Sequence, residues 1–279
     1  HSGRNYSESF LADTLLEKPE IRASEDAYID DLFSCAIEYG APLLAAVTPR
    51  AYVDLNRQSD ELDSAIIKGV NKNSLNPRVI SGLGVIPRIV SRGRNIQSGK
   101  ITLEQANSRL KKSYFPYHNK LKEILEQTKS KFGQVILIDC HSMPKGSAYS
   151  AKESDGKIPD VVLGDRFGSS CSAKIMNEIR SVFQDYGFTV SYNIPFSGAY
   201  ILKNYGKSAK SSHNMSISFA LGLLCGAPGT RKALGVGGSQ DEHAQKSINR
   251  LRSERHAARF LIVLFLCREA RHQRCSIGG

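Results

Sequence analysis

The chain of 279 residues contains no tryptophan, and its six cysteines form neither a CxxC pair nor a regular series. The cysteines lie at positions 35, 140, 171, 225, 267 and 275. Scattered cysteines are not typical of a disulfide framework or of a zinc site built from thiolates. Their distribution therefore predicts a protein of the reducing cytoplasm.

Long apolar segments and internal repeats are missing as well. The apolar run Phe260–Cys267 has eight residues, whereas a membrane-spanning helix needs roughly 20. The net charge of +11 is not accompanied by a basic helix with base-reading residues or by an aromatic platform for bases. We therefore predict that the chain has neither a membrane nor a nucleic acid as its partner.

Segments that suit strands alternate along the chain with segments of helical periodicity. Strands are predicted at 43–47, 82–90, 135–139, 161–163 and 188–192. Helices are predicted from Ser24 to Gly40 and at 103–113, 117–131 and 170–186. This alternation is typical of an α/β domain with a mainly parallel sheet and right-handed crossovers.

The most informative segment is Asp139-Cys140-His141-Ser142-Met143, which follows the apolar run Val135–Ile138. Such a run is typical of a strand buried on both faces of a parallel sheet. Polar residues directly after it are expected at the carboxyl edge of the sheet, where α/β proteins bind ligands. His141 is therefore a candidate metal ligand with a carboxylate close by, although a loop histidine without a role fits the spacing equally well.

Five further segments support the first of these interpretations. They are, in order, His1-Ser2-Gly3-Arg4, Glu25-Asp26, Pro49–Arg57, Pro159–Arg166 and Asn193–Gly198. Together with the segment around His141 they resemble the N-formylglutamate amidohydrolase family, also called N-formylglutamate deformylases, from His1 to about His213. The resemblance implies a three-layer α/β fold of the zinc-exopeptidase-like (phosphorylase/hydrolase-like) type, with helices flanking the sheet. It also implies hydrolysis of N-formyl-L-glutamate to formate and L-glutamate, as in histidine degradation.

The resemblance implies one Zn²⁺ ion held by His1, Glu25 and His141, a set of three ligands that leaves a position for water. Asp26 is an alternative to Glu25, because neighbouring residues at the start of a predicted helix cannot be told apart. The alternative for Glu25 and Asp26 is that they only compensate the dipole of the predicted helix. The alternative for His1 is that it is a frayed terminal residue without a role. Asp139 is expected to orient His141 or, alternatively, to cap the following loop.

The substrate that the family implies carries two carboxylates, and guanidinium groups bind carboxylates through two parallel hydrogen bonds. We expect Arg57 and Asn56 to hold one carboxylate. Arg50 is a second candidate, with Arg166 further along the chain, and Asp54 is expected to position one of these arginines. For each arginine the alternative is a solvated surface charge. The predicted partner is therefore a small acidic N-acyl amino acid.

The resemblance stops near His213, which matches a family histidine and is a further candidate catalytic residue. The family continues with a strand that contains a Gln-Ile-Glu-like motif, and an ungapped alignment places Ser218 where its glutamate belongs. Residues 214–279 hold 10 Lys and Arg against 4 Asp and Glu, whereas residues 1–213 hold 28 against 23. We predict an amidohydrolase domain over 1–213, with a strand missing before His1. The basic tail over 214–279 is expected to pack poorly, being either out of frame or diverged.

Two other functions fit the same sequence. One is a catalytically dead family member that binds at most a metal or ligand, because the family glutamate is absent. The other is an amidohydrolase that acts on another N-acyl amino acid. The sequence specifies neither the metal ion with certainty nor the oligomeric state.

Overall fold

The computed structural model describes residues 2–27, 29–71, 76–90, 93–143, 145–151, 158–206 and 212–220. These residues contain both helices and strands, which confirms the predicted α/β class. They divide into two compact units. The first contains the residues up to Asp26, Leu44–Gly133 and Ala199–Ile201; the second contains Ala27–Leu43, Gln134–Gly198 and the described residues from Leu202 on.

Short elements make up most of the first unit. Its helices are α1 (Glu8–Ala12), α2 (Lys18–Ile21), α4 (Pro77–Ile80), α5 (Leu103–Arg109) and α6 (Phe115–Phe132), with a 3₁₀ turn at Arg22–Ser24 and a π turn at Leu110–Tyr114. Strands β1 (Ile67–Lys68) and β4 (Ile101–Thr102) pair in parallel, and β2 (Ile89–Val90) and β3 (Arg94–Asn95) pair antiparallel. The main core cluster consists of Val53, Leu55, Ile66, Ile67, Val85, Ile86, Ala106, Leu110 and Tyr114. Burial of one large apolar side chain contributes about 1.5–3 kcal/mol.

The longest helical segment begins at Thr102, as its capping box predicts. The Thr102 hydroxyl accepts from the Gln105 amide at 3.1 Å, and the Gln105 side chain accepts from the Thr102 amide at 2.8 Å. The predicted helices 103–113 and 117–131 are one continuous segment, with the π turn between α5 and α6. Pro116, in the first turn of α6, has no N–H to donate to an earlier carbonyl, which explains a change of helical pitch there.

A four-stranded sheet organises the second unit, in the order β5-β8-β6-β7. Its strands are β5 (Val135–Met143), β6 (Val161–Gly164), β7 (Val190–Tyr192) and β8 (Ser212–Ala220). Strands β5 and β8 pair in parallel, as do β6 and β7, whereas β6 and β8 pair antiparallel. The sheet is therefore mixed rather than uniformly parallel.

Helix α7 (Ala173–Asp185) covers one face of this sheet. The Ser172 hydroxyl caps it by accepting from the Ile175 amide at 3.4 Å. Its apolar stripe packs with sheet residues in one core cluster, as its helical periodicity predicts. The cluster includes Ile175, Met176, Ile179 and Phe183 from the helix and Val161, Leu163, Met215 and Ile217 from the sheet. The other helices of the unit are α3 (Ile29–Leu32) and a 3₁₀ segment at Ser34–Tyr39; α8 (Tyr200–Tyr205) begins in the first unit and ends in the second.

The start predicted for the first helix is wrong. Ser24 ends the 3₁₀ turn instead of capping a helix, and Glu25 has extended backbone dihedrals, with φ −69° and ψ 149°. Glu25 and Asp26 therefore lie in the connection ahead of α3 and do not compensate a helix dipole. The predicted end at Gly40 is confirmed, because Gly40 closes the 3₁₀ segment in the left-handed conformation, with φ 79°.

The strand predicted at 43–47 is also absent from the described residues, in which this segment is irregular and Val47 is largely exposed. Its end is held instead by two backbone hydrogen bonds, from Gly3 to the Thr48 carbonyl at 2.8 Å and from Asn5 to the Val47 carbonyl at 3.0 Å. A Cβ atom at Gly3 would lie 2.0 Å from the Val47 carbonyl carbon, so the close approach requires glycine. Of the strand predicted at 82–90, only β2 forms, because Pro87 cannot donate a ladder hydrogen bond.

The boundary predicted at residue 213 falls inside β8. Residues 214–220 belong to that strand, and Met215 and Ile217 are buried in the core of the second unit, so this part of the predicted tail is well packed. Residues 221–279 lie outside the described residues, and their poor packing stays a prediction. Among the described residues, no helix is long and apolar enough to cross a membrane.

Candidate active site

The segment around His141 lies within β5 rather than in the loop after it. Strand β5 extends to Met143 because β8 pairs with it over its whole length, from Val135↔Ser212 to Met143↔Ala220. Side chains alternate between the two faces of a strand, so Asp139 and His141 lie on the same face. The prediction that His141 lies in a loop after the strand is therefore wrong, because His141 is a residue of β5 itself. The segment Asp139–Met143 forms the carboxyl-terminal part of this strand.

Asp139 contacts His141 directly. The His141 Nε2 lies 3.0 Å from Asp139 Oδ2, and the side chains are 14% and 6% exposed. A carboxylate only accepts hydrogen bonds, so Nε2 donates its proton to Asp139 Oδ2. This contact holds the imidazole in one orientation, as carboxylates do for metal-ligating histidines.

Ser218 lies beside this pair on the neighbouring strand. The parallel register pairs Asp139 with Ser216 and His141 with Ser218, and residues paired in this way project to the same face. Ser218 is buried, with 3% exposure. The position at which the ungapped alignment places the family glutamate is therefore adjacent to His141, and it carries a hydroxyl.

The register separates His213 from the Asp139–His141 pair. His213 is paired with Ile136, which lies on the opposite face of β5 from His141. It also lies five positions away along the ladder, which is about 16 Å. Among the described residues the buried His213 Nδ1 has no hydrogen-bond partner. The structure thus does not bring His213 together with Asp139, the other predicted catalytic residue, or with the predicted metal ligand His141.

Arg166 lies in a tight turn, Asp165–Gly168, that follows β6. Arg166 and Phe167 both have left-handed backbones, with φ 54° and φ 57°. This conformation costs about 1–2 kcal/mol for each residue other than glycine, so other contacts must hold the turn. The Arg166 side chain is half-buried, and within the described part of the chain its guanidinium makes neither a hydrogen bond nor an ion pair. Arg166 thus presents unused donors at the carboxyl end of a strand.

The contacts that hold this turn come from Asn193, which directly follows β7. Its Oδ1 accepts from the Asp165 amide at 3.0 Å and the Phe167 amide at 3.4 Å, and its Nδ2 donates to Asp165 Oδ1 at 2.9 Å. The Arg166 amide donates to the Ser197 carbonyl at 2.8 Å. Asn193 was part of a segment quoted from the sequence, but its role was missed because no local pattern pairs it with a turn some 28 residues earlier.

Arg57, expected to bind a carboxylate, already has protein partners in the first unit. Its Nε donates to the Leu83 carbonyl at 2.8 Å, its Nη1 donates to the Asn56 carbonyl at 2.9 Å, and its Nη2 lies 3.6 Å from Asp54 Oδ2. The Arg57 side chain is only 13% exposed. Asp54 lies beside Arg57, in a contact that occupies the guanidinium, and its role in positioning an arginine for substrate stays a prediction.

Asn56 is likewise part of the architecture. Its Oδ1 accepts from the Ile201 amide at 2.8 Å, and its own amide donates to Asp54 Oδ1 at 2.9 Å. Asn56 and Asp54 are both buried, with 4% and 3% exposure. The side chain that was expected to donate to the substrate therefore joins two segments of the first unit.

Two aromatic residues missed in the sequence anchor the same segment. The Tyr114 hydroxyl donates to the Arg57 carbonyl at 2.9 Å, and His118 Nε2 donates to the Leu55 carbonyl at 3.0 Å. Burial lowers the pKa of His118 to about 4, although the hydrogen bond to Leu55 opposes the shift. The spacing of 114 and 118 on one helical face was the available signal, because it places polar atoms toward the core.

Both candidate carboxylate ligands of the first unit face arginines. Arg22 donates from Nε to Glu25 Oε1 at 3.0 Å and from Nη2 to Glu25 Oε2 at 3.1 Å, and Arg50 is ion-paired with Asp26. Burial, and next the charge of Glu25, raises the pKa of Tyr6. The predicted substrate-binding Arg50 is thus also engaged by a carboxylate.

The donor set fits a metal ion only in part. His141, with its orienting carboxylate, has the chemistry of a metal ligand, whereas the two oxygens of Glu25 are occupied by Arg22. His1 lies outside the described residues. Within the described ranges, no group of three or more His, Cys, Asp or Glu side chains is placed to hold a metal ion.

Comparison with known proteins decides the family. A sequence model described as N-formylglutamate amidohydrolase matches residues 1–224, which is most of the chain. The chain belongs to the N-formylglutamate amidohydrolase family. The match continues past His213, where the resemblance of the quoted segments ends, and therefore includes the whole of β8.

Two members of this amidohydrolase family illustrate the similarity in sequence. The N-formylglutamate deformylase of Pseudomonas putida is 27% identical over 223 residues, which are 79% of this chain and 77% of that protein. The N-formylglutamate deformylase of Pseudomonas aeruginosa is 29% identical over 210 residues, which are 74% and 73% of the two proteins.

Solved structures agree with the family assignment. The crystal structure of N-formylglutamate amidohydrolase from Ralstonia eutropha JMP134 is similar with a TM-score of 0.81 and 26% identity, over 98% of this chain and 92% of that one. The Atu2144 gene product of Agrobacterium tumefaciens has a TM-score of 0.53 and 14% identity, over 89% and 83% of the two chains. The second similarity concerns the fold alone.

Proposed function

We propose that this chain hydrolyses the amide bond of N-formyl-L-glutamate and releases formate and L-glutamate. The family match over residues 1–224 carries the proposal, and the two Pseudomonas relatives named N-formylglutamate deformylase agree with it. The geometry that supports it is the Asp139–His141 pair near the carboxyl end of β5, the outer strand of the four described in this sheet. Histidine degradation is the pathway that we propose for this reaction.

Two protein groups have separate tasks in the proposed reaction. Asp139 keeps the His141 ring in one orientation, so the same nitrogen is always directed at the ligand side. Arg166 binds a carboxylate of the substrate through parallel N–H donors, because its guanidinium has no competing acceptor among the described residues. Arg50, Asn56 and Arg57 contribute to substrate binding only if they exchange the partners described above.

We also propose that the enzyme uses one Zn²⁺ ion, with His1, Glu25 and His141 as ligands and Asp26 as the alternative to Glu25. Zinc, when bound, polarises a carbonyl and lowers the pKa of bound water to about 7. Glu25 would have to release Arg22 to become a ligand, and Asp26 would have to release Arg50. The three-layer, zinc-exopeptidase-like architecture belongs to the same proposal.

A second candidate function is a family member that binds ligand without efficient turnover. Ser218 favours it, because a hydroxyl beside His141 cannot replace a carboxylate as a general base at neutral pH. Loss of a general base typically lowers the rate by about 10²–10⁴-fold. An out-of-frame segment that begins before Ser218, within the predicted tail 214–279, would explain the substitution.

The test is release of L-glutamate from N-formyl-L-glutamate by the purified full chain, with and without added zinc. Zinc-dependent release that is lost in His141→Ala supports the proposal. Faster hydrolysis of N-acetyl or other N-formyl amino acids would instead support an amidohydrolase of different specificity. Metal binding without any hydrolysis would support the second candidate function.

The cytoplasm is the compartment that we propose for this reaction. Among the described residues Cys35, Cys140 and Cys171 form no disulfide, which agrees with a reducing environment. Fractionation of the native host, with an antibody against residues 1–213, would check this location.

A further inference from the structure

We propose that Asn193 is a positioning residue that holds Arg166 ready to bind a carboxylate of the N-acyl amino acid substrate. This inference rests on the proposed function and adds to it the group that makes the arginine available. Asn193 itself does not touch the substrate. It acts through the backbone of the Asp165–Gly168 turn.

The turn lies where two parallel strands end, at the sheet edge opposite to the carboxyl end of β5, because β6 and β8 pair antiparallel. Strands β6 and β7 pair in parallel, from Val161↔Val190 to Leu163↔Tyr192, and the turn and Asn193 lie just beyond their carboxyl ends. The Asn193 amide donates to the Leu163 carbonyl at 2.8 Å, which continues this pairing by one residue.

Three side-chain contacts of Asn193 determine the conformation of the turn. Two N–H groups, of Asp165 and Phe167, donate to its Oδ1, and its Nδ2 donates to Asp165 Oδ1. Asp165 and Phe167 directly precede and follow Arg166, so these contacts hold the backbone on both sides of it. The Asp165 Oδ1 atom also accepts from the Gly168 amide at 3.0 Å, so one carboxylate oxygen links Asn193 to the end of the turn.

The left-handed backbone at Arg166 shows why this clamp is needed. Neither Arg166 nor Phe167 favours a positive φ, and both adopt it in succession. Without the clamp, Arg166 would relax to a common backbone conformation and its guanidinium would point elsewhere. Asn193 also has a positive φ, of 58°, which asparagine tolerates better than most residues.

The ligand chemistry follows from the arginine and its surroundings. A guanidinium without an acidic partner among the described residues binds a carboxylate in the fork geometry. One arginine recognises one carboxylate, such as that of L-glutamate. The inference thus assigns a carboxylate-binding group to the second unit, and it assigns Asn193 to the preorganisation of that group.

The experiment is a double-mutant cycle read by calorimetric titration of L-glutamate, the proposed product, into the purified full chain. We expect Arg166→Ala to weaken the Kd by about tenfold or more, and Asn193→Gly to weaken it similarly. Glycine accepts the positive φ at 193 and keeps the amide bond to Leu163, so only the clamp is removed. The double variant is expected to bind no more weakly than Arg166→Ala alone.

Asn177→Ala is the matched control. Asn177 is an exposed asparagine of the same unit that accepts one hydrogen bond, from the Tyr192 hydroxyl at 3.3 Å, and does not touch the turn. The Asn177→Ala variant should bind L-glutamate with the Kd of the wild type. If Asn193→Gly does not fold, as judged by its Tm, Asn193→Asp replaces it. That variant keeps both acceptor contacts but sets a carboxylate oxygen against Asp165 Oδ1 in place of the Nδ2 donor, so it should show a loss at least as large and equally non-additive.

The outcomes separate this inference from the proposed function. Unchanged binding by Asn193→Gly, or losses that multiply in the double variant, would overturn the role of Asn193. A wild-type chain that does not bind L-glutamate would overturn it too, while turnover of N-formyl-L-glutamate decides the proposed function independently. Binding with the expected cycle but no turnover would support this inference and reject the catalytic proposal.

Discussion

Two arginines that look alike in sequence behave differently in the structure. Arg57, in the first unit, gives its donors to the Leu83 and Asn56 carbonyls and lies beside Asp54. Arg166, in the second unit, has only its backbone held, and its guanidinium has no partner among the described residues. A donor that is already paired stabilises the fold, whereas a donor held without a partner can bind a ligand. The predictions below test this difference between the two units.

The largest effect is expected at Ser218, beside His141 in the second unit. If turnover is impaired by the missing carboxylate, Ser218→Glu should raise kcat by about 10²–10⁴-fold, since that is the usual contribution of a general base. The measurement is L-glutamate release at saturating substrate. Ser218→Gln is the control, because it has nearly the same size without the carboxylate. Equal rates in the two variants would contradict the assignment of this position.

Asp139→Asn should lower kcat/KM by about 10–100-fold, which is the usual effect of losing the carboxylate that orients a metal-ligating histidine. The amide can still contact His141 Nε2, but its charge is lost. Steady-state kinetics and a thermal melt of the same preparation measure this effect. A large fall in Tm with unchanged kcat/KM would show that the pair serves stability and not the reaction.

Arg57→Leu should mainly lower stability, by about 2 kcal/mol, because it leaves the buried Asp54 carboxylate without its cation and removes two hydrogen bonds to carbonyls. Its effect on the Kd for L-glutamate should be small. Arg166→Leu is the matched variant in the second unit. It should weaken the Kd for L-glutamate and leave the free energy of unfolding nearly unchanged. Urea unfolding and calorimetric titration of both variants measure the two effects. If Arg57→Leu abolished binding and left stability unchanged, the contrast between the two arginines would be wrong.

The smallest effect concerns the pH dependence of stability through His118. Burial lowers its pKa from 6.5 to about 4, so the unfolded chain binds a proton that the folded chain excludes. The contribution of His118 to stability is complete above pH 6.5 and falls toward pH 4, by at most about 1.4 kcal/mol for each pH unit. Urea unfolding between pH 7 and pH 4.5 measures this slope.

His118→Gln keeps a donor for the Leu55 carbonyl and cannot titrate in this range. The variant should therefore unfold with a shallower dependence on pH than the wild type. An identical slope in both proteins would mean that other groups, and not His118, determine the acid sensitivity of the first unit.

Several parts of the fold could be predicted from short stretches of sequence. The Thr102–Gln105 capping box begins the longest helical segment, and Gly40 ends a 3₁₀ segment. The apolar stripe of α7 is buried, as its periodicity predicts. These features depend on residues within a few positions of one another, so the local sequence contains the necessary information.

The strand predicted at 43–47 and the helix predicted to begin at Ser24 failed for a different reason. Their residues have suitable local propensities, but the Val47 and Thr48 carbonyls accept from the N-terminal segment, and the Asp26 carboxylate pairs with Arg50. Local propensity is a weak signal where polar groups find partners far away in the chain.

The sequence by itself determined the family, the α/β class and the segment Asp139–His141, because ordered motifs and periodicity are local properties. Only the tertiary structure decided which candidates lie together. The register of β8 against β5 places Ser218 beside His141 and His213 on the other face, and one step of register would reverse both. The partners of Arg57 and Arg166 were equally a tertiary matter, since hydrogen bonds between distant segments determine whether a guanidinium is occupied or available.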